Sequence, residues 1–146
     1  MKSSTFNSMP RYDSLLISCR YLIASKSSTY NQSLSMFICE LALTSIELMM
    51  FPSSVLAATA VFITRLTIHR LHQRDLLTDE ELLMLWNPEL QSASGLKIAD
   101  MFRCVTTYKD YYAGLQRYVN LAAAFKVVEK YTKDFYGVAK IRLSFE

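Results

Sequence analysis

Glycine and proline are scarce in this chain, with three of each among 146 residues. Sandwiches and barrels string many short strands together on turn residues, so the scarcity disfavours both. It also leaves no glycine-rich loop in which a phosphate could be cradled. Cysteine is just as sparse. Cys19, Cys39 and Cys104 are odd in number and far apart, without the short paired spacing of a zinc site. Free, mostly buried thiols in an intracellular protein are therefore expected. The opening, Met1 to Asn7, is polar and rich in Ser and Thr, so no secretory segment is expected. A strong net charge is missing as well, the balance being +3.

What the chain does have is apolar content. At 51% hydrophobic and 20% charged it is globular in composition and about one domain long. Phe51 to Leu71, FPSSVLAATAVFITRLTIHRL, is apolar or small on every side from Val55 to Ile63. Pro52 suits the first turn of a helix, where its missing N–H costs nothing. A helix apolar all round must be enclosed. Arg65, and Pro52-Ser53-Ser54 ahead of the run, make it a poor match to the roughly 20 apolar residues of a membrane span. Ala57, Ala58, Thr59 and Ala60 let neighbouring backbones come close, so the stretch reads as the hub of a bundle.

The remaining elements follow in order. Pro10 and Asp13 open a helix whose face is Tyr12, Leu15, Leu16, Cys19, Leu22 and Ile23, ending at Ser25-Lys26-Ser27-Ser28. Thr29 and Gln32 stand as in a capping box before a second helix, to about Thr44, with Leu34, Phe37, Ile38, Leu41 and Ser45 inward and Glu40 and Glu47 outward. Ile46 to Met50 is an apolar connection, and His72 to Asp75 an exposed one. Thr78 to Glu81 is a clear capping box opening a short helix with Leu82, Leu83, Leu85 and Trp86, stopped by Asn87-Pro88. Glu89 to Gly95 reads as a polar loop. Ile98, Met101, Phe102, Val105, Tyr108 and Tyr112 give another helix, ended by Ala113-Gly114. The last carries Tyr118, Leu121, Ala122, Phe125 and Val128, with Arg117, Lys126 and Lys130 outside, and Gly137 breaks it. Ile141, Leu143 and Phe145 alternate with Arg142 and Ser144 in a short extended tail. The fold class is all-α, about six helices in all.

Catalytic chemistry finds no support. His69 and His72 share a helix face but lack the third and fourth ligands of a zinc site, and neither has a nucleophile nearby. Asp79, Glu80 and Glu81 are explained by the helix start. From Lys97 to Arg142 nine Lys or Arg face four acids, yet at helical spacing, which reads as a solvated face. Tyr108, Tyr111, Tyr112 and Tyr118 read as core edges rather than as platforms for bases.

The hub motif Phe51-Pro52-Ser53-Ser54-Val55-Leu56-Ala57-Ala58-Thr59-Ala60 resembles the opening of the central helix in the second, C-terminal cyclin box of mitotic A- and B-type cyclins. Ser33 to Leu43, with Glu40-Leu41, is similar to an upstream helix of that box. Lys130-Tyr131 followed by Phe135-Tyr136-Gly137-Val138 is similar to its ending, one residue shorter. Pro10 to Lys26 corresponds to the helix that leads from the first box into the second. The resemblance spans Met9 to about Leu143, with Thr59 in place of a usual Gly or Ala.

It implies a cyclin-like helical bundle, about five helices around the central helix 51–71 and joined by an N-terminal helix. The expected division is a polar segment at 1–8, the domain at 9–140 and a tail at 141–146. The family's kinase contacts lie in its first box, which has no counterpart in these residues, so no kinase-contact residue carries over. The implied function is that of a non-enzymatic regulatory subunit of a cyclin-dependent protein kinase in cell-cycle control, in the nucleus or cytoplasm. No cofactor, metal or membrane is expected, and nucleic acid is not the expected partner. A stand-alone cyclin-fold adaptor, or a fragment of a longer cyclin, are the alternatives. The expected partner or inter-domain face is Tyr12, Leu15, Leu16 and Cys19 on the first helix.

Overall fold

The computed structural model describes residues 10–25, 27–73, 77–117 and 122–145, with the side chains of 10–13, 116, 117 and 122 outside that description. Among the described residues there are eight α-helices and one 3-10 stretch, and no strand. The fold is all-α, a bundle of helices around one central helix. The helices are α1 (Pro10–Ala24), α2 (Thr29–Ala42), α3 (Ile46–Met49), α4 (Ser53–His72), α5 (Asp79–Leu85), α6 (Pro88–Ser94), α7 (Ile98–Arg117) and α8 (Ala122–Lys133), and the 3-10 stretch is Phe135–Lys140.

The hub is α4, beginning one residue after Pro52, which serves as its N-cap. Leu56 to Thr64 is buried without a break, and α1, α2 and α7 pack around it. By length and composition α4 could cross a membrane, but most of it is covered by neighbouring helices. It divides the core in two. Ala60 and Ile63 face Leu34, Phe37, Ile38, Leu41, Tyr108 and Tyr131. Ala57, Ala58, Val61, Phe62 and Leu66 face Tyr21, Leu22, Trp86, Leu90 and Met101.

Buried hydroxyls set the registers. Thr64 Oγ1 meets Ser35 Oγ at 2.8 Å and donates to the Ala60 carbonyl, fixing α2 against α4. The Tyr108 hydroxyl donates to the Ile38 carbonyl at 3.0 Å, tying α7 to α2. Arg65, half-buried, donates to the Leu85 and Met84 carbonyls, where the last turn of α5 has no backbone donors left.

Four local expectations change. Ser28, not Thr29, caps α2 by accepting the Asn31 N–H. The connection after α2 is itself a turn of helix, because Ser45 accepts the Leu48 N–H. The stretch after Trp86 is a helix and not a loop: Asn87 accepts the Leu90 N–H, Pro88 fits the first turn, and Gly95 closes it at φ 73°. Gly114 does not end α7, which continues to Arg117. Tyr118 and Leu121 lie outside the described residues.

The chain end is an extended strap with the expected alternation. Leu143 is buried, and Ile141 and Phe145 pack on the core. The Ser144 N–H donates to Thr67 Oγ1 at 3.0 Å and the Leu143 N–H to the Tyr112 hydroxyl at 3.3 Å.

Candidate interaction surface

The outward face of α1 is built by what its inward face buries. Ser14, Ser18, Tyr21 and Leu22 are turned into the protein, and α1 lies along α4 over its length. Tyr21 and Leu22 pack with Ala57 and Ala58 of α4, while Ser18 accepts the Cys39 thiol of α2 at 3.8 Å. The residues expected to form a partner or inter-domain face fall on different sides of the helix. Leu15 sits half-buried at the core edge, whereas Leu16, Cys19 and Ile23 point to solvent, with Leu16 53% and Ile23 74% exposed. The Tyr12 side chain lies outside the described residues. Hydrophobic periodicity alone favoured the leucines and isoleucine, and the small polar stripe Ser14-Ser18 was the signal that gave the other answer. Residues 16, 19, 20 and 23 follow one helix face, so two large apolar side chains stand with Cys19 and Arg20 on an uncovered stripe.

The thiols divide accordingly. Burial pushes the Cys39 thiol up to about 12, the Ser18 hydroxyl offsetting part of the effect. Burial likewise pushes Cys104 up to about 11, with Thr59 offsetting. Both are neutral at pH 8 and shielded, while Cys19 is exposed. A thiol reagent at pH 8 is expected to modify Cys19 in the native protein and the other two only in denaturant. Because both folded values are raised from 9.0, the stability they carry is present below that pH and is lost progressively as pH rises from there through the folded values of about 11 and about 12. Tyr108 and Tyr131 are also raised, chiefly by burial, and extend the loss above pH 10. Urea midpoints are expected to fall steadily above about pH 9.

The residues with candidate chemistry have structural partners. Glu81 accepts the Thr78 N–H while Thr78 accepts the Glu81 N–H, completing the capping box. The Thr78 N–H, with His69 Nε2 at 3.2 Å from the other carboxylate oxygen, holds the Glu81 carboxyl below its ordinary range. Tyr111 bonds Thr44, and Tyr112 packs at a tilt against Phe145. Among the described residues no group of His, Cys, Asp or Glu is placed to hold a metal ion.

Glu40 was expected to point outward. It is instead only 11% exposed and holds both Lys130 Nζ, at 3.1 Å, and the Tyr131 hydroxyl. Lys130 also lies over the Tyr131 and Phe135 rings. This clamp fastens α2 to α8 and to the ending that follows. Phe135 (φ 56°), Tyr136 (φ 64°) and Gly137 (φ 61°) turn left-handed in succession. Only glycine takes that conformation without strain, so the two aromatics are held there by their surroundings: Phe135 by Tyr131, and Tyr136 by Tyr30. Lys133 pairs with Glu129. Part of the basic excess in the C-terminal half is therefore internally balanced.

A family model described as the cyclin C-terminal domain matches residues 18–143. No curated protein and no solved structure matches the chain.

Proposed function

The chain belongs to the cyclin C-terminal domain family, whose role is regulatory, and from that premise we propose that it is a regulatory subunit of a cyclin-dependent protein kinase in cell-cycle control. The observation that carries this reading is the family match across nearly the whole chain. The sequence likeness to mitotic A- and B-type cyclins supports the narrower form of this reading, in which the protein acts in the nucleus or the cytoplasm.

Its mechanism is binding. A regulatory subunit shifts its kinase toward the active arrangement only by as much as it prefers that arrangement over the inactive one. The α1 stripe Leu16, Cys19 and Ile23 is the proposed partner or inter-domain face, since it is apolar, uncovered and outside both halves of the core. The adaptor reading, with nucleic acid as ligand, draws on the basic C-terminal half. Lys130 and Lys133 already have acid partners there, which weakens it.

Affinity capture from dividing cells tests the reading. A protein kinase is expected in the captured material, and Leu16→Asp with Ile23→Asp is expected to lower its recovery at least tenfold without altering helical content. Capture that brings down no kinase would sink the proposal. The native size in cells is a companion measurement: a species larger than 16.8 kDa would mark the chain as part of a longer cyclin.

A further inference from the structure

A second surface, formed where α3 meets α7, is used neither by the core nor by the α1 face. Helix α3 turns only Leu48 inward. Ile46 is 82% exposed, Met50 just beyond the helix is 81% exposed, and Met49 is exposed too. On α7, Phe102 is 67% exposed. The two helices touch. An open recess of about 450 Å³ lies between them, lined by Glu47, Met50, Phe51, Arg103 and Thr107.

Two features identify what fits there. First, apolar projections border an apolar hollow: Ile46, next to the lining residue Glu47, and Phe102, next to the lining residue Arg103, are exposed, and Met50 and Phe51 line the recess itself. Second, it carries both signs of charge. Glu47 and Arg103 line the same recess, and among the described residues neither takes part in an ion pair. An acid and a base on one patch cannot both be satisfied by a partner of one charge sign. They are satisfied by the same patch turned through a two-fold axis, where residue i meets j and j meets i.

We propose that this face is the contact between two copies of the chain. Glu47 of each copy meets Arg103 of the other, while Ile46, Met50 and Phe102 bury against the opposing recess. The proposal is independent of the kinase reading and uses different helices from the α1 stripe. Charge pairs at such a contact set its register and discriminate against wrong partners.

Sedimentation equilibrium on the full chain, from about 1 to 200 µM, tests it. The wild type is expected to pass from monomer to dimer across that range. Glu47→Arg or Arg103→Glu alone opposes like charges at both symmetric contacts and is expected to weaken association at least tenfold. The double reversal, Glu47→Arg with Arg103→Glu, is expected to restore it. Leu16→Asp with Ile23→Asp is expected to leave it unchanged. A protein monomeric throughout overturns the proposal, including the case in which the patch binds some other protein. So does a double reversal no better than the single changes, or a dimer lost on changing α1 alone. All three charge variants alter exposed side chains, and circular dichroism checks that each is folded.

Discussion

Replacing Trp86 by Ala is expected to cost about 3–5 kcal/mol, the range for removing a large buried aromatic. Trp86 is fully buried at the junction of α5 and α6. Its ring stands edge-on to Tyr21 of α1, at 6.4 Å, and to Phe62 of α4, at 6.3 Å. Its indole N–H donates to the Leu96 carbonyl at 2.9 Å, just before α7. One side chain therefore links α1, α4 and the segment that leads into α7. Single domains have only about 5–15 kcal/mol of total stability, so the loss is a large share. In thermal unfolding it should appear as a drop of about 10 °C or more for a chain of this size. Trp86→Phe separates the causes. It keeps an aromatic ring and loses the N–H bond, and should cost about 1–2 kcal/mol. If the two variants were equally destabilised, the hydrogen bond and not the packing would be the dominant contribution.

The second large effect is expected from adding atoms instead of removing them. Ala58 is fully buried in α4 among Tyr21, Leu22 and Trp86. Ala58→Leu puts three carbons where α1 lies close against the hub, and overpacking of this kind costs about 1–3 kcal/mol or more. Leucine is nearly as good a helix former as alanine, so propensity does not account for the loss. Ala58→Gly is the control, costing about 1 kcal/mol through the backbone alone. Urea unfolding should show the leucine variant below the glycine variant, with midpoints shifted and slopes unchanged. The reverse order would mean that the neighbours of α4 have room to move apart.

The hub was the most legible part of the sequence because its signal is redundant. A run apolar on all sides has no alternative to enclosure, and the Ala57-Ala58-Thr59-Ala60 cluster states how closely it is enclosed. The capping box at Thr78 and Glu81 was legible for a related reason, since both partners lie within four residues. The elements that were misread depend on partners far away in the chain. Glu40 looks solvent-facing by spacing, and its burial is explained only by Lys130 and Tyr131 some 90 positions later. Asn87-Pro88 reads as a stop because the same two residues that end one helix also begin the next. On α1 hydrophobic spacing marks Leu16 and Ile23, which are exposed, whereas the small polar Ser14 and Ser18 are among the residues turned inward.

The family motifs have a physical content that resemblance alone did not supply. Glu40 near the end of α2, Lys130-Tyr131 in α8 and the left-handed turn at Phe135 to Gly137 form one clamp. They stand close in space because the half of the core around Leu34 and Phe37 closes there, with Phe37 tilted against Tyr131 at 5.4 Å. The most distinctive residues are thus packing residues, and the surfaces open to partners, on α1 and at α3 with α7, carry side chains of ordinary type.

The regulatory reading is tested most directly by the activity of a purified cyclin-dependent kinase, assayed with and without this protein. The kinase is one recovered by affinity capture. The proposed function predicts a saturable rise in phosphorylation rate as the protein is added, abolished or right-shifted at least tenfold by Leu16→Asp with Ile23→Asp. A rate that stays flat to saturating concentrations of folded wild-type protein would contradict it.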